Sequence, residues 1–284
     1  MILIADSGST KCHWASIDNE NDIRISTDGI NPFHCDRHTI ESIVDSQLVD
    51  RIPQHKITEI HFFGAGCRDD KTTIIADILR HRFPQATIEV TNDLKGAAIA
   101  LFGNNRGIAC ILGTGSVACL YDGKEIVRSI DPLGYILGDE GSGAVLGRKL
   151  LGDCFKNRLP QHLKEKFFER YPTLTSSELI ERVYRKPLPN RFLASFAPFL
   201  SENIAESYAY NLVFDSFTEF FERNITCCEG YDEYETSFCG SVAYHFADVL
   251  EVAAAEFGIR LGQIVQSPID NLALYFKKYR ESRG

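Results

Sequence analysis

The sequence lacks the features that mark a membrane or secreted protein. No apolar stretch approaches the roughly 18 residues that span a bilayer. The opening apolar run ends at Asp6 with no basic region before it, unlike a secretory signal peptide. The nine cysteines are odd in number and include no C-x-x-C pair. We therefore expect reduced thiols in a cytoplasmic protein rather than a disulfide framework.

An excess of positive charge is also missing. The formal net charge is −9 over 284 residues, which argues against nucleic acid or an anionic membrane as the main partner. It does not argue against a small anion held in a local cleft. Hydrophobic residues make up 44% of the chain and charged residues 24%. This composition predicts a soluble globular protein with one large domain or two moderate ones.

Four familiar site patterns are absent or incomplete. Neither the Walker A pattern nor the protein-kinase signatures occur. Gly64-Ala65-Gly66 begins like a dinucleotide fingerprint, but its third glycine position holds Asp69, and a carboxylate there would repel a pyrophosphate. His34-Cys35-His38 lacks a recognised metal-binding spacing and a fourth ligand. We do not expect a P-loop, a dinucleotide site or a metal at these positions.

The order of apolar segments predicts an α/β protein. Strands are predicted within 2–5, 12–18, 23–27, 57–66 and 86–93, and helices within 37–50, 71–83 and 94–103. The pattern restarts at Gly107 with a strand, a turn and a strand over 108–123. A mostly helical region from 143 to about 257 follows, with one strand-like piece at 236–240, then a strand at 259–265 and a helix at 269–281. This succession favours partly parallel sheets.

Two turns rich in glycine and hydroxyl groups lie between apolar strands. They are Asp6-Ser7-Gly8-Ser9-Thr10-Lys11 and Leu112-Gly113-Thr114-Gly115-Ser116. A plain hairpin needs only an Asn-Gly or Asp-Gly turn. Glycines, backbone N–H groups and hydroxyls can wrap phosphate oxygens, and the strand-end carboxylate of Asp6 can hold Mg²⁺ through water. Two such turns at the heads of two α/β halves suggest duplicated domains that face a shared cleft.

Three later motifs also place polar groups where a strand or apolar stretch meets a helix. Asp93 ends a strand in "VTNDLKGA", and Asp139 and Glu140 precede a helix in "GYILGDEGSG". In "SFCGSVAYHF" a strand runs into a helix through Gly240-Ser241, a geometry that lets a flat ring approach the backbone. The carboxylate of Asp93 is expected to project from the end of its sheet.

Together these motifs resemble the N-acetylglucosamine kinase and BadF/BadG-type ATPase branch of the acetate and sugar kinase/Hsp70/actin superfamily. The resemblance covers nearly the whole chain. It rests on the ordered occurrence of the first turn (6–11), Asn31-Pro32, Asn92-Asp93, Gly113-Thr114-Gly115-Ser116, Gly138-Asp139-Glu140-Gly141-Ser142-Gly143 and Gly240-Ser241.

This resemblance implies a domain organisation. The expected fold is α/β, with two ribonuclease-H-like (actin-like ATPase) domains and with ATP and substrate in the interdomain cleft. The N-terminal domain is expected over 1–106, rejoined by a closing helix at 268–284. The C-terminal domain, with a helical insertion, is expected over 107–267.

The resemblance also implies roles for residues of this sequence. Asp6 would position Mg²⁺, and Asp93 would be the catalytic base. The ATP and phosphate contacts would come from Ser7, Gly8, Ser9, Thr10, Lys11, Gly113, Thr114, Gly115, Ser116, Gly240 and Ser241. The sugar would be lined by Asn31, Asp93, Thr114, Gly134 and Asp139.

Four of these residues also have a purely structural interpretation. Asp93 could cap the helix that follows it, and Asp139 could complement a helix dipole. Lys11 could be a solvated surface lysine, and Asn31 could start a turn before Pro32.

The implied function is that of an ATP-dependent kinase, which transfers the γ-phosphate to the 6-hydroxyl of an amino sugar, N-acetylglucosamine first among them. Two alternatives are a BadF-type ATPase that activates a radical dehydratase or reductase, and a non-catalytic nucleotide or sugar sensor. Asp131-Pro132-Leu133 stands where the family has Gly-Gly-Trp, and Pro132 supplies no N–H. The identity of the sugar is therefore open. A homodimer is plausible by resemblance.

Overall fold

The structure is a computed structural model that describes residues 1–18 and 22–282. These residues form a mixed α/β fold with two five-stranded sheets. The strands are β1 (Ile2–Ser7), β2 (Lys11–Ile17), β3 (Arg24–Asp28), β4 (Glu59–Gly64), β5 (Thr87–Asn92), β6 (Gly107–Leu112), β7 (Ser116–Tyr121), β8 (Ile126–Ser129), β9 (Glu235–Cys239) and β10 (Arg260–Val265).

The helices account for most of the second half of the chain. They are α1 (Arg37–Gln47), α2 (Asp70–Arg82), α3 (Asp93–Phe102), α4 (Gly134–Leu137), α5 (Gly143–Phe155), α6 (Gln161–Arg170), α7 (Ser176–Tyr184), α8 (Pro189–Ala194), α9 (Ala197–Glu202), α10 (Ser207–Asn224), α11 (Ser241–His245), α12 (Ala247–Glu256) and α13 (Ile269–Glu281). Short 3₁₀ turns occur at Val49–Arg51, Gln54–Lys56 and Tyr231–Glu233.

The first sheet has the strand order β3-β2-β1-β4-β5. Its β1–β2 and β2–β3 pairs are antiparallel, and its β1–β4 and β4–β5 pairs are parallel. Side chains alternate along each strand, so that one face of the sheet packs on α1 and α2. Trp14 lies in this core at 1% exposure, and its indole N–H donates to Thr27 Oγ1 at 3.2 Å. Trp14 is therefore a core residue of the first unit.

The opposite face of the first sheet is covered by α3 and α13. Helix α13 packs against β1, β2 and α3. His61 of β4 stacks on Phe276 of α13, with ring centroids 4.3 Å apart. The apolar face predicted for 269–281 thus packs on a sheet whose strands lie more than 170 residues earlier in the chain.

The second sheet has the order β10-β9-β6-β7-β8, and its β9–β10 pair is parallel. When the strands of each sheet are counted in chain order, both sheets follow 3-2-1-4-5. The restart of the sequence pattern at Gly107 therefore corresponds to a second copy of the same strand arrangement. Strand β8 was not predicted, because it is short and three of its four residues are exposed.

The chain divides into two compact units. The first comprises Met1–Ala109, Tyr121–Val127 and Ser267–Gly284, and the second Cys110–Leu120 and Arg128–Gln266. Residues 283 and 284 of the predicted closing segment lie outside the described residues. The assignment of ribonuclease-H-like domains with boundaries at 106 and 267 stays a prediction. Within the described ranges, no helix is both long and apolar enough to cross a membrane.

Candidate active site

Parallel pairing in the first unit aligns the carboxyl ends of three strands. Ser7 of β1 is in register with Gly64 of β4, and Gly64 is in register with Asn92 of β5. Asp6 lies one residue before this level and Asp93 one residue after it. Ligands of open α/β sheets bind beyond the carboxyl ends of such strands. The register therefore brings two carboxylates to one edge of the first sheet.

The β1–β2 turn is held in one conformation by backbone contacts. The Gly8 N–H donates to Lys11 O, and the Gly29 N–H donates to Thr10 O, both at 3.0 Å. A Cβ at Gly29 would lie 2.5 Å from Gly8 O, so only glycine permits this approach. Thr10 and Lys11 remain exposed at the tip. The tip therefore presents a hydroxyl and a positive charge on a fixed backbone.

Ser7 has a structural role that the sequence did not indicate. Its side chain is fully buried, and its hydroxyl both donates to Ile30 O and accepts from the Ile30 N–H, each at 2.9 Å. Both of these bonds fasten the turn to the chain at Ile30. A phosphate contact through Ser7 stays a prediction. The partly buried Gly8 and Ser9 belong to the same turn.

Asn31 also fastens the turn. Its Nδ2 donates to Ser9 Oγ at 3.1 Å, and its Oδ1 accepts from the Phe33 N–H at 2.9 Å. The side chain is 5% exposed, and a Cβ at Gly66 would lie 2.3 Å from Asn31 Oδ1. The structure thus supports the turn-forming interpretation of Asn31. A sugar contact through Asn31 stays a prediction.

Asp93 is the first residue of α3, but the cap of that helix is Asn92. The Asn92 side chain accepts from the Lys95 N–H at 2.8 Å, and Asp93 Oδ1 accepts from the Leu94 N–H at 3.0 Å. The purely structural interpretation of Asp93 as the helix cap is therefore wrong. Burial raises the pKa of the Asp93 carboxyl to about 6, although the Leu94 N–H and the positive charge of Arg68 act in the opposite direction.

Asp6 is affected by the same surroundings. Burial is the main cause that raises its pKa to about 7, and the negative charge of Asp93 adds to the rise. Two carboxylates with raised pKa values at one sheet edge are typical of a functional site rather than of a stability device. We call Asp6, Asp93 and the turn at 8–11 the carboxylate cluster.

In the second unit, the loop after β6 is bonded to the start of α5. The N–H groups of Gly143 and Ala144 donate to Gly113 O at 2.8 Å and to Thr114 O at 3.1 Å. Within the loop, the Gly113 N–H donates to Gly115 O at 2.9 Å. These bonds take up two of the N–H groups at the start of the helix. The predicted second loop and the predicted Gly-Asp-Glu-Gly-Ser motif are therefore neighbours.

Asp139 reaches the same loop. Its Oδ1 accepts from the Ser116 N–H at 3.3 Å, and a Cβ at Gly115 would lie 3.1 Å from Asp139 Oδ2. The backbone of Asp139 has a φ of 55°, the left-handed region that a non-glycine residue rarely adopts. Burial raises the pKa of Asp139, the Ser116 N–H opposes the rise, and the nearby Glu140 adds to it. Glu140 itself is held by Asn224 and Arg223 of α10.

Gly240 packs directly on this loop. Its φ is 121°, and a Cβ there would lie 2.2 Å from Leu112 O. The Gly240 N–H donates to Val265 O at 3.0 Å, and the exposed Ser241 begins α11. Three motifs that are spread over more than 120 residues of the sequence therefore lie together. We call Gly113 to Ser116, Asp139 and Gly240-Ser241 the glycine-loop cluster.

Gly134 lies in an exposed segment before Asp139. Its φ is 75° and a Cβ there would meet open space, so the residue is glycine for its backbone conformation. Arg148 of α5 donates to Tyr135 O at 2.8 Å and holds this segment. Asp131, Pro132 and Leu133, where the sequence departs from the family, are all exposed.

The carboxylate cluster fits a hydrated Mg²⁺ by the chemistry of its donors. Mg²⁺ prefers hard oxygen ligands, and it is often held by one or two carboxylates together with water and substrate phosphates. Asp6 and Asp93 supply such oxygens. In residues 1–18 and 22–282, no group of three or more His, Cys, Asp or Glu side chains is arranged to hold a metal by itself. His34, Cys35 and His38 are among the residues that this statement covers.

Sequence reasoning missed two residues that act on the carboxylate cluster. Arg68 acts electrostatically on Asp93, and Gly29 makes room for the β1–β2 turn. Neither belongs to a motif. The available signal was positional, since Arg68 follows the end of β4, the strand that pairs in parallel with the strand before Asp93.

Most of the cysteines lie in the core rather than on the surface. Seven of the nine are buried, and burial raises the pKa of Cys67, beside Asp93, to about 12. Such a thiol stays protonated and is a poor nucleophile or metal ligand.

The chain is similar to solved sugar kinase structures. It is 44% identical to a candidate N-acetylglucosamine kinase from Porphyromonas gingivalis, with a TM-score of 0.94, over 99% of this chain and 100% of that one. A second candidate N-acetylglucosamine kinase, from Chromobacterium violaceum, is 17% identical with a TM-score of 0.73, over 96% and 98% of the two chains.

A third structure shares the fold at greater distance. It is a ROK family glucokinase from Streptomyces griseus in complex with glucose and AMPPNP, 13% identical with a TM-score of 0.57, over 100% of this chain and 99% of that one. No protein-family model matches the chain, and no curated protein matches it either.

Proposed function

This chain belongs to the sugar kinase family that includes the Porphyromonas gingivalis protein, and we propose that it transfers the γ-phosphate of ATP to the 6-hydroxyl of an amino sugar. N-acetylglucosamine is the first candidate substrate, since the two candidate N-acetylglucosamine kinases are so described. The observation that carries the proposal is the carboxylate cluster, because phosphoryl transfer to a hydroxyl needs a base and a place for Mg²⁺ and phosphate.

Asp93 is the base in this proposal. A sugar hydroxyl is a poor nucleophile until a neighbouring group accepts its proton. Asp93 accepts that proton as the new O–P bond forms and the bond to the departing ADP oxygen breaks. A pKa of about 6 keeps the carboxylate ionised at neutral pH and still close enough to that pH to bind a proton. Arg68 helps to keep it ionised.

The remaining roles follow from what each cluster presents. Gly8, Ser9, Thr10 and Lys11 offer phosphate contacts from the carboxylate cluster, and Gly113, Thr114, Gly115 and Ser116 offer them from the glycine-loop cluster. Gly240 and Ser241 face adenosine. Asp139 and Thr114 bind sugar hydroxyls, with Gly134 beside them. Asp6 would hold Mg²⁺, which neutralises phosphate charge when it is bound.

ATP is the proposed phosphate donor. The support comes from the glucokinase that shares the fold and was solved with AMPPNP. The geometry of the glycine-loop cluster adds to it, since Gly240 keeps side-chain atoms away from the Leu112–Gly113 peptide. A planar base can lie close to such a backbone.

The experiment is an ADP-release assay with Mg-ATP against a panel of sugars. The panel contains N-acetylglucosamine, glucosamine, N-acetylmuramic acid, N-acetylmannosamine and glucose, with Asp93→Asn as the control protein. Release that requires one sugar and disappears in Asp93→Asn supports the proposal and names the substrate. Sugar-independent release would instead indicate an ATPase of the activator type. No release with any sugar would indicate a sensor and overturn the proposal.

A further inference from the structure

Lys95 lies two residues after Asp93 on α3, and its side chain is mostly buried. The side chain is only 17% exposed, and its ammonium forms an ion pair with Glu125 at 2.9 Å. The same ammonium donates to Lys124 O and lies 5.4 Å from the centroid of the Tyr121 ring. Three different groups of one short segment, residues 121–125, therefore surround this one charge.

The segment 121–125 is the connection between β7 and β8, and it also contacts the far end of α3. The Tyr121 hydroxyl donates to Gly103 O at 3.1 Å. Gly123, with a φ of 100°, lies so close to Asn104 that a Cβ would be 2.3 Å from Asn104 O. Helix α3 is thus fastened to the segment near its first turn by Lys95 and beyond its last turn by Tyr121.

The segment is itself well ordered by local bonds. Asp122 Oδ1 accepts from the N–H groups of Lys124 and Glu125 at 2.8 and 2.7 Å, which closes a tight turn. The backbone that carries the Lys124 carbonyl is therefore held by the turn itself, independently of Lys95.

We propose that Lys95 is a positioning residue for Asp93: by bonding to Lys124 O and Glu125 it fixes the first turn of α3 and so the place of the Asp93 carboxylate. This inference rests on the proposed function only for the role of Asp93. Reacting groups must be held within a fraction of an ångström, and a displacement of about 1 Å can lower a rate by ~10²-fold. The Glu125 carboxylate is 79% exposed, so the ion pair alone would contribute little. The bond to Lys124 O and the contact with the Tyr121 ring are what hold the Lys95 side chain in place.

The test compares Lys95→Met, Lys95→Arg and the control Lys149→Met. Lys149 also forms an ion pair at 2.9 Å, with Glu219, and is 29% exposed, but it contacts neither α3 nor the segment 121–125 through that pair. We expect Lys95→Met to lower kcat on the order of tenfold with KM for ATP changed less than about twofold. Lys95→Arg should restore most of kcat, since Arg can reach the same carbonyl and carboxylate.

Hydrogen exchange gives a second measurement that does not depend on activity. Amides of Leu94 to Ala97 and of Lys124 and Glu125 should exchange faster in Lys95→Met than in wild type or in Lys149→Met. If Lys95→Met does not fold, Glu125→Gln provides the same comparison with a smaller expected effect.

The outcomes separate this inference from the proposed function. Faster exchange with a lower kcat supports it, whereas kcat within twofold of wild type overturns the positioning role. Unchanged exchange overturns the inference even if the wild type phosphorylates no sugar. Full turnover by Asp93→Asn would remove Asp93 as the base and leave the exchange result for α3 intact.

Discussion

The two five-stranded sheets share one strand order, yet their first hairpins present different chemistry. When Ser7-Gly8-Ser9 is set over Thr114-Gly115-Ser116, Asp6 of the first hairpin falls on Gly113 of the second. The first hairpin therefore carries its own carboxylate and lysine, while the second has only glycines and hydroxyls. In the second unit the carboxylate comes from Asp139, which reaches the loop from the connection between α4 and α5. A repeated scaffold fixes where the loops lie but not what they do.

The electrostatic consequences differ accordingly. In the carboxylate cluster two acidic groups share one sheet edge, so burial and mutual repulsion raise the pKa of Asp6 to about 7. In the glycine-loop cluster Asp139 has a backbone N–H to accept, which opposes the effect of burial on its pKa. The first cluster is suited to proton transfer and cation binding, and the second to orienting neutral or anionic groups.

The largest expected effect comes from removing the base from the carboxylate cluster. Asp93→Asn should lower kcat by ~10²–10⁴-fold, because the sugar hydroxyl then has no proton acceptor, while ATP binding measured by calorimetry stays near wild type. The matched change in the other cluster, Asp139→Asn, should act mainly on KM for the sugar. If both variants lost kcat equally, the contrast between the two clusters would not hold.

A second change tests the metal. Asp6→Ala should raise the Mg²⁺ concentration for half-maximal turnover on the order of tenfold or more, as expected for loss of a group that holds the ion through water. A Mg²⁺ titration of turnover measures this, with Asp139→Asn as the control. An unchanged titration in Asp6→Ala would place the ion elsewhere.

The fall of kcat/KM at acidic pH should depend on the carboxylate cluster and not on the glycine-loop cluster. The Asp93 carboxyl must be ionised to accept a proton, so kcat/KM should fall about tenfold per pH unit below its pKa of about 6. The protonation of Asp6 in the same range can steepen the fall. A profile from pH 4.5 to 8 of wild type and Asp139→Asn should show the same acidic limb. If Asp139→Asn lost the acidic limb, that limb would belong to the glycine-loop cluster and not to the carboxylate cluster.

The smallest expected effect is on stability. Because the folded pKa of Asp6 is about 7, the folded protein binds this proton more tightly than the unfolded chain does. The stabilisation that results is complete below the ordinary pKa near 4 and is lost as the pH rises through 7. Asp6→Asn should therefore raise the free energy of unfolding at pH 8 by about 1–3 kcal/mol. Denaturant unfolding at pH 5 and pH 8 measures this, and an equal change at both would contradict the assigned cause.

Much of the fold could be predicted from local patterns. The apolar periods of β1, α2, β5, α3 and α13 mark these elements to within a residue or two. The helix predicted over 37–50 ends earlier, at Gln47, because Leu48 turns into the core and the chain continues as a 3₁₀ turn. Strand β8 carries too few buried residues to leave an alternating pattern.

The site was predictable only as separate pieces. Glycines and carboxylates at strand ends pointed to the loops, but the contact of Gly240 with Leu112 O depends on β9 lying beside β6, which no local pattern contains. Ser7 and Asn31 fasten the turn because the chain at 30–31 passes beside it. Ser7 bonds to Ile30 O, and Asn31 bonds to Ser9. Assignment of each side chain to a ligand therefore stays a prediction.

Helix α13 has a consequence for the order in which the protein is made. It packs on β1, β2 and α3, yet it is translated after residues 128–266, which form most of the second unit. A ribosome adds about 5–20 residues per second, so the first sheet emerges early and waits many seconds for its cover. During that interval the apolar face that will meet Phe276 is open to solvent. The part of the chain that is synthesised first is therefore completed last.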